Sequence, residues 1–201
     1  MSGVGPRIGA LAAAIWLIGL PQPAFAQVQD EVVVSGEDVS GFSGRLAVNL
    51  AAGDGNQAAN DAVIAIGDLA LGGSLINQSI AGSDPRDRAT RVALEGNAFA
   101  NSSGLASINA AAGIQNQMAN VAVLSIGRIG AISDQLLAQS SAPAKPSGST
   151  GGGADVRNDA VAVSDGAFRD SSGLIQVNLI GGERNSSANT FVLSVLPEGT
   201  P

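Results

Sequence analysis

Apolar and polar residues alternate in the stretch from Gln57 to Ile66, "QAANDAVIAI", and the same alternation returns at 117–126 and again at 186–195. On one face lie Asn56, Ala58, Asn60, Ala62, Ile64 and Ile66. The matching sets are Asn116, Met118, Asn120, Ala122, Leu124, Ile126 and Asn185, Ser187, Asn189, Phe191, Leu193, Val195. A period of two over this length predicts strand. The opposite face (Gln57, Ala59, Asp61, Val63, Ala65) is small and mixed. A second alternating run precedes each of these, with Leu46, Val48, Leu50, then Ala106, Ile108, Ala110, then Ile175, Val177, Leu179 on one side. Between the runs sit Gly53, Gly113 and Gly182, where a residue free to take positive φ lets the chain turn. Each unit therefore reads as strand, tight turn, strand. Simple alternation puts Asn49 on the face opposite Val48, away from the core unless a bulge reorients it.

The units are copies of one another. "GRLAVNLAAGDGNQAANDAVIAIG" (Gly44 to Gly67) aligns without a gap on "GLASINAAAGIQNQMANVAVLSIG" (Gly104 to Gly127), and "GLIQVNLIGGERNSSANTFVLSVL" (Gly173 to Leu196) keeps the frame. The shared pattern is G-x3-[VI]-N-x3-G-x2-N-x3-N with an apolar tail. It fixes Asn49, Asn56, Asn60; Asn109, Asn116, Asn120; and Asn178, Asn185, Asn189, with Gln57 and Gln117 beside the middle Asn. Phe99 and Phe168 each stand five residues before the starting Gly, whereas Phe42 stands two before, so the first lead-in reads as shorter. "LGGSLINQSI" (71–80) and "AISDQLLAQS" (131–140) are loosely alike after the first two units.

Stacking gives such repetition a physical purpose. A unit with a flat apolar face cannot bury itself alone, but identical units in register align like side chains about 4.8 Å apart. Stacked Asn amides then bond along the stack through donor and acceptor, where an isolated buried Asn would leave unsatisfied groups. Helix is disfavoured: Gly recurs every few residues, at about 1 kcal/mol each in a helix interior, and the tails are β-branched. The expected fold is all-β, a β-arch or β-solenoid-like repeat. Asn49, Asn56, Gln57, Asn60 and their copies are the expected stacking residues, with Ile64, Ile66, Leu124, Ile126, Leu193 and Val195 as an apolar seam.

Composition narrows the function. The chain of 201 residues has no Cys, His or Tyr, one Trp and five Phe. Its start, "MSGVGPRIGALAAAIWLIGLPQPAFAQ", has Arg7, an apolar run from Ile8 to Leu20, and Ala24-Phe25-Ala26. This reads as a signal peptide (1–26) cut between Ala26 and Gln27, because 13 apolar residues fall short of the roughly 20 that span a bilayer. The expected division is then two β-repeat units in 27–138, a Pro/Gly/Ser linker in 139–154, "QSSAPAKPSGSTGGGA", and a third, divergent unit in 155–201. The mature part carries 17 acidic and nine basic residues, a net charge of 9 − 17 = −8, so nucleic acid is not an expected partner. No disulfide or cysteine-linked lipid is possible.

Enzyme chemistry has little to draw on. Without His or Cys, metal ligation falls to carboxylates, and "DGN" (54–56) and "SDPRD" (83–87) lack the spaced ligands of a calcium loop; turn chemistry explains them. No cofactor or metal is expected, and single aspartates such as Asp61 and Asp159 read as solvated positions rather than an acid/base pair. Asn77, Asn101 and Asn185 head N-x-[ST] sequons, which are weak signals.

The core "VN-x-AAG-x-x-NQ-x-AN" at Val48 to Asn60, with its copy at Ile108 to Asn120, resembles the repeats of bacterial functional-amyloid and surface-fibre proteins. Curlin-like subunits are similar, and Fap-type repeats from biofilm matrices more so. The resemblance spans about 24 residues per unit and implies export, stacked β-structure, polymerisation at the cell surface, and itself or related subunits as partners. The third unit departs from it, with Ile180-Gly181 for Ala-Ala and Asn185-Ser186-Ser187 for Asn-Gln-x, which suits a capping or docking unit. The expected function is a secreted fibre-forming or fibre-capping protein, a minor or nucleating subunit. The alternatives are a monomeric β-solenoid adhesin and, third, an outer-membrane β-barrel, which should show aromatic girdles that five Phe cannot furnish.

Overall fold

The computed structural model describes residues 29–36, 39–81, 88–132, 136–141 and 158–196. The expected signal peptide with its cut at Ala26 and Gln27, the 83–87 stretch and most of the expected linker lie outside these. Among the described residues there are thirteen strands and no helix. They are β1 Gln29–Val34, β2 Ser43–Ala52, β3 Gln57–Ile66, β4 Leu69–Gly72, β5 Leu75–Ile80, β6 Ala89–Leu94, β7 Ser103–Ala112, β8 Gln117–Ile126, β9 Ile129–Ile132, β10 Leu136–Ser141, β11 Asp159–Val163, β12 Ser172–Gly181 and β13 Ser186–Val195.

Consecutive strands do not pair. β2 bonds to β7 and β3 to β8, so each strand-turn-strand unit is an arch, not a hairpin. Sheets form only between copies: β1-β6-β11, β2-β7-β12, β3-β8-β13, β4-β9 and β5-β10, all parallel. The result is three stacked rungs in a solenoid-like arrangement. Open parallel sheets of this kind are not a closed antiparallel barrel, which removes the membrane-barrel alternative for this region.

The turn that makes an arch is built on Gly53, Gly113 and Gly182, at φ of 95°, 117° and 105°. A Cβ on Gly113 would stand 1.9 Å from the carbonyl oxygen of Gly182, so stacking as well as torsion demands glycine there.

Two sequence expectations are corrected. The first lead-in is not short: β1 pairs with β6 from Gln29↔Ala89 to Val34↔Leu94, and ten residues separate Val34 from Gly44, as they separate Leu94 from Gly104. Val39 takes the place of Phe99, which hid the correspondence; it joins the same core cluster. The 71–80 and 131–140 segments do repeat, but the register moves from Gly72↔Ile132 to Leu75↔Leu136, a one-residue slip. β10 also runs through Ser141, so residues 139–141 belong to a strand rather than to the linker.

The core lies between the first and second sheets, where Val34, Leu94, Ala98, Phe99, Ala106 and Ile108 are buried and Leu46, Val48, Leu50, Ile175, Val177 and Leu179 pack against them. Phe99 stacks on Phe168 with ring centroids 5.4 Å apart. On the far side, the outer strands of each unit cover the third sheet of the next: Gln78 donates to the carbonyl of Met118 at 3.0 Å and Ser125 to that of Ala70 at 2.9 Å.

Candidate functional site

The interior of the arch, between the second and third sheets, is where the predicted amides meet. Asn49 needs no bulge to be useful. It does face away from Val48, but that side is the inside of the arch, opposite Asn60, whose Nδ2 donates to Asn49 Oδ1 at 2.9 Å. Simple alternation was right about the direction and wrong about what lies there.

Three ladders run along the stack. Asn49, Asn109 and Asn178 are in register on the second sheet, and Asn60, Asn120 and Asn189 on the third. Asn109 Nδ2 donates to Asn49 Oδ1 at 2.9 Å, and Asn178 Nδ2 to Asn109 Oδ1 at 2.9 Å. Asn120 Nδ2 donates to Asn60 Oδ1 at 3.0 Å, and Asn189 Nδ2 to Asn120 Oδ1 at 2.9 Å. Cross-links join the two ladders: Asn109 Nδ2 reaches Asn60 Oδ1 at 3.0 Å, and Asn120 Nδ2 reaches Asn109 Oδ1 at 3.0 Å. Five of the six also donate to a backbone carbonyl inside the arch, for example Asn109 to Ala59 and Asn120 to Ile108, Asn49 being the exception. These carbonyl bonds fix which end of each amide is the nitrogen.

The third ladder holds the turn. Asn116 accepts the backbone N–H of Asn185 on Oδ1 at 3.0 Å and donates from Nδ2 to Gly182 O at 2.8 Å; Asn56 Oδ1 accepts the N–H of Asn116 at 2.9 Å. The turn is thus stitched to the rung beside it by side chain and backbone together. Gln57 and Gln117 align outside the arch, where Gln117 Nε2 approaches Gln57 Oε1 at 3.4 Å and Gln57 donates to Ser79 O at 2.8 Å. The third-rung position is Ser186, which bonds to Gln139 instead.

Burial grades the ladders. Asn109, Asn116 and Asn120 are fully buried, while Asn49 and Asn185, in the outer rungs, are exposed. A buried amide is stable only with its bonds made, so the middle rung depends on both neighbours.

The apolar tail residues also align, Ile64↔Leu124↔Leu193 and Ile66↔Ile126↔Val195. They do not form a sealed core. Ile66 is 73% exposed, Leu193 42%, and the row lines the mouth of the arch opposite Leu105 and Leu174, where a small apolar groove opens.

Other residues at the stack were not foreseen. Gln78 and Gln139 form a further amide pair, with Gln139 Nε2 on Gln78 Oε1 at 2.8 Å, and the one-residue slip between 71–80 and 131–140 concealed their equivalence. Arg88 bridges Asp30 at 3.1 Å and Asp54 at 3.2 Å across two elements of the first rung. Thr90 Oγ1 donates to Asp159 at 2.6 Å, and Ser74 to Asp61, so both aspartates have structural partners. Hydrogen bonds that Arg91 donates to Glu31 and then to Glu95 hold its guanidinium above its ordinary pKa on the outer face of the first sheet. Among the described residues no group of three or more acidic side chains is arranged to hold a metal ion, and no helix is long and apolar enough to cross a membrane.

Comparison with known proteins agrees with this geometry. A family model described as the functional amyloid protein FapB/FapC family matches residues 19–196. No solved structure matches.

Proposed function

Because the chain belongs to the functional amyloid protein FapB/FapC family, we propose that it is a secreted fibre subunit whose outer rungs stack on like rungs of neighbouring subunits through the Asn ladders. The family is one of structural amyloid proteins and not of enzymes. The observation that carries the proposal is that the ladders, buried at Asn109, Asn116 and Asn120, reach exposed amides at Asn49 on the first rung and Asn185 on the third. Among the described residues the sheets there end in parallel edge strands, β1, β2 and β3 at one side and β11, β12 and β13 at the other. A parallel edge with amides in place is a template for one more rung.

In this reading residues 1–26 are removed at Ala26–Gln27, the mature chain works at the outer cell surface or in the extracellular matrix, and its partners are itself or related fibre subunits. The segment between β10 and β11 tethers a third unit to a two-unit block. A minor, nucleating role follows from the small number of rungs and from the divergence of the last, where Ile180, Gly181, Ser186 and Ser187 replace the residues of the other copies. Asn49, Asn56, Gln57 and Asn60 on one edge, and Asn178, Asn185 and Asn189 on the other, make the contacts; Ile64, Ile66, Leu193 and Val195 extend the apolar row.

The test is incubation of residues 27–201 between pH 4.5 and 7.5. Fibres that bind thioflavin and give a reflection near 4.8 Å are expected. Protein that stays monomeric throughout, while still binding a surface, would establish the monomeric adhesin instead.

A further inference from the structure

The two outer rungs end the amide ladder of the second sheet in different ways. Within the first two rungs each ladder oxygen takes one hydrogen bond from its own rung and one from the rung that follows. Asn49 Oδ1 accepts from Asn60 Nδ2 and from Asn109 Nδ2, both at 2.9 Å. Asn109 Oδ1 accepts from Asn120 Nδ2 at 3.0 Å and from Asn178 Nδ2 at 2.9 Å. At Asn178 the bond from its own rung is present, from Asn189 Nδ2 at 3.1 Å, and the other place is taken by a hydroxyl of the same rung: Ser187 Oγ donates to Asn178 Oδ1 at 2.7 Å. An amide oxygen has two lone pairs, so this one is filled. The residues in register with Ser187 are Met118 and Ala58, whose side chains carry no donor. Asn178 is buried although it stands on an outer rung, and Ser187 supplies the donor that a further rung would supply.

The direction of the ladders fixes what an arriving copy meets. In every bond between rungs of the two arch ladders the nitrogen belongs to the later rung and the oxygen to the earlier one: Asn109 to Asn49 and Asn60, Asn178 to Asn109 and Asn120, Asn120 to Asn60, Asn189 to Asn120. A second copy that sets its first rung on the third rung of the first keeps the strands parallel and continues that direction. It presents the amide of Asn49, which is exposed and has only its oxygen engaged. Asn109 shows the contacts this nitrogen makes when a rung lies before it: Asn49 Oδ1, Asn60 Oδ1 and the carbonyl of Ala59. By register the counterparts at the joint are Asn178 Oδ1, Asn189 Oδ1 and the carbonyl of Ala188. Asn189 Oδ1 accepts from no described residue, whereas Asn178 Oδ1 is already full. One ladder is open to the next copy and the other is capped.

We propose that Ser187 determines how tightly one copy accepts the next: it caps the ladder of Asn49, Asn109 and Asn178 at the third rung and competes with the Asn49 amide of an arriving copy for the Asn178 oxygen. This rests on the stacking function proposed above. Two arrangements of the joint are open to the hydroxyl. If it stays on Asn178, the arriving amide forgoes one of the three contacts that Asn109 makes. If it is displaced, it lies in register with Met118 and the arriving Ala58, neither of which has a side-chain oxygen to accept it. Either way the joint forms with one hydrogen bond fewer than the contacts between rungs of one chain. Those inner contacts, with Ala58 and Met118 at the position of Ser187, meet no such competitor. The third rung is thus satisfied by its own chain before a partner arrives, and the joint between copies is the weaker step of the stack.

The critical concentration for fibre growth of residues 27–201, measured by sedimentation, tests this with Ser187→Ala, Ser187→Thr, Asn49→Ala and the double variant Asn49→Ala/Ser187→Ala. Ser187→Ala leaves Asn178 Oδ1 a place that the arriving Asn49 fills, so the critical concentration is expected to fall about 5-fold, the weight of one neutral hydrogen bond. Ser187→Thr keeps the hydroxyl while adding a methyl group, and it should stay within about 2-fold of the wild-type chain. In the Asn49→Ala background the gain from Ser187→Ala should vanish, because the group that competes for the oxygen is gone. Circular dichroism of the monomers checks that the rungs stay folded. A gain from Ser187→Ala under about 2-fold, an equal gain from Ser187→Thr, or a gain that survives in the Asn49→Ala background overturns the cap and leaves stacking intact. No fibres from the wild-type chain and none from Ser187→Ala overturns the stacking function and the cap with it.

Discussion

Ile108 and Asn109 are neighbours in β7, both fully buried, and they face opposite interiors. Ile108 enters the aliphatic space between the first and second sheets; Asn109 enters the amide-filled space inside the arch. The two spaces hold the same strand by different physics. Apolar contact is roughly proportional to area and indifferent to direction, so the outer core accepts Val39 where the other rungs carry Phe99 and Phe168. The amide interior is directional: one residue of slip between rungs would set Asn109 beside Val48 or Leu50 and orphan its donors and acceptors. Stability comes from both, but the register comes from the arch. Accordingly the three Asn positions are kept in all rungs while the aliphatic positions vary.

Breaking the amide interior at its centre should have the largest effect. Asn109 donates to Asn49, Asn60 and Ala59 and accepts from Asn120 and Asn178. Asn109→Ala strands several of these groups out of reach of water, at about 1–3 kcal/mol each, so a loss of about 4 kcal/mol in urea unfolding is expected. Asn109→Leu, which fills the space but satisfies nothing, should do no better. A loss under about 1 kcal/mol for either would mean that the amides are ornaments on an apolar stack.

The same strand truncated on its other face gives the contrast. Ile108→Ala removes buried methyl groups from the aliphatic interior and should cost about 3 kcal/mol, through transfer and cavity terms. Amide hydrogen exchange separates the two: Ile108→Ala should loosen β1, β6 and β11, and Asn109→Ala should loosen β3, β8 and β13. Identical exchange patterns for the two variants would show that the interiors act as one. Smaller still is Phe99→Leu, which keeps a large apolar side chain but gives up the stack on Phe168 at 5.4 Å; about 1 kcal/mol is expected in thermal unfolding.

This division explains what could be read from the chain. Parallel in-register stacking puts like on like, so Asn49, Asn109 and Asn178 had to recur at one spacing, and that spacing made the repeat and the all-β fold legible. Alternation, however, reports only which side of a strand a residue takes. It carries no information on whether a second sheet waits there, and for that reason Asn49 looked misplaced. Aliphatic tolerance hid the first lead-in, because Val39 does for an apolar core what Phe99 does. The slip between β4–β9 and β5–β10 obscured Gln78 and Gln139, since an ungapped comparison fails after one extra residue. Arg88 with Asp30 and Asp54 was beyond reach for another reason: the contacts join residues 58 and 34 apart and run from the start of the second rung back to the first.

Asn49 provides the smallest effect on the folded chain and the sharpest contrast with Asn109. It is the same residue type in the same ladder, but it stands on the exposed first rung, and only its oxygen is engaged, by Asn60 and Asn109. In the monomer, water can replace what Asn49→Ala removes, so the loss should stay under about 1 kcal/mol. In a fibre the position becomes interior, with a third rung on its open side, and its burial should approach that of Asn109. The substitution should then cost elongation far more than unfolding: seeded growth is expected to slow at least ~10-fold, the equivalent of one lost buried hydrogen-bonding group. Growth at the wild-type rate from Asn49→Ala would mean that copies meet without continuing the arch ladder. Stability lost in the monomer to the extent seen for Asn109→Ala would mean that the first rung is already an interior one. An open end and a closed middle of one ladder cannot both give those results, so the pair of substitutions decides whether exposure at Asn49 is a place held for the next subunit.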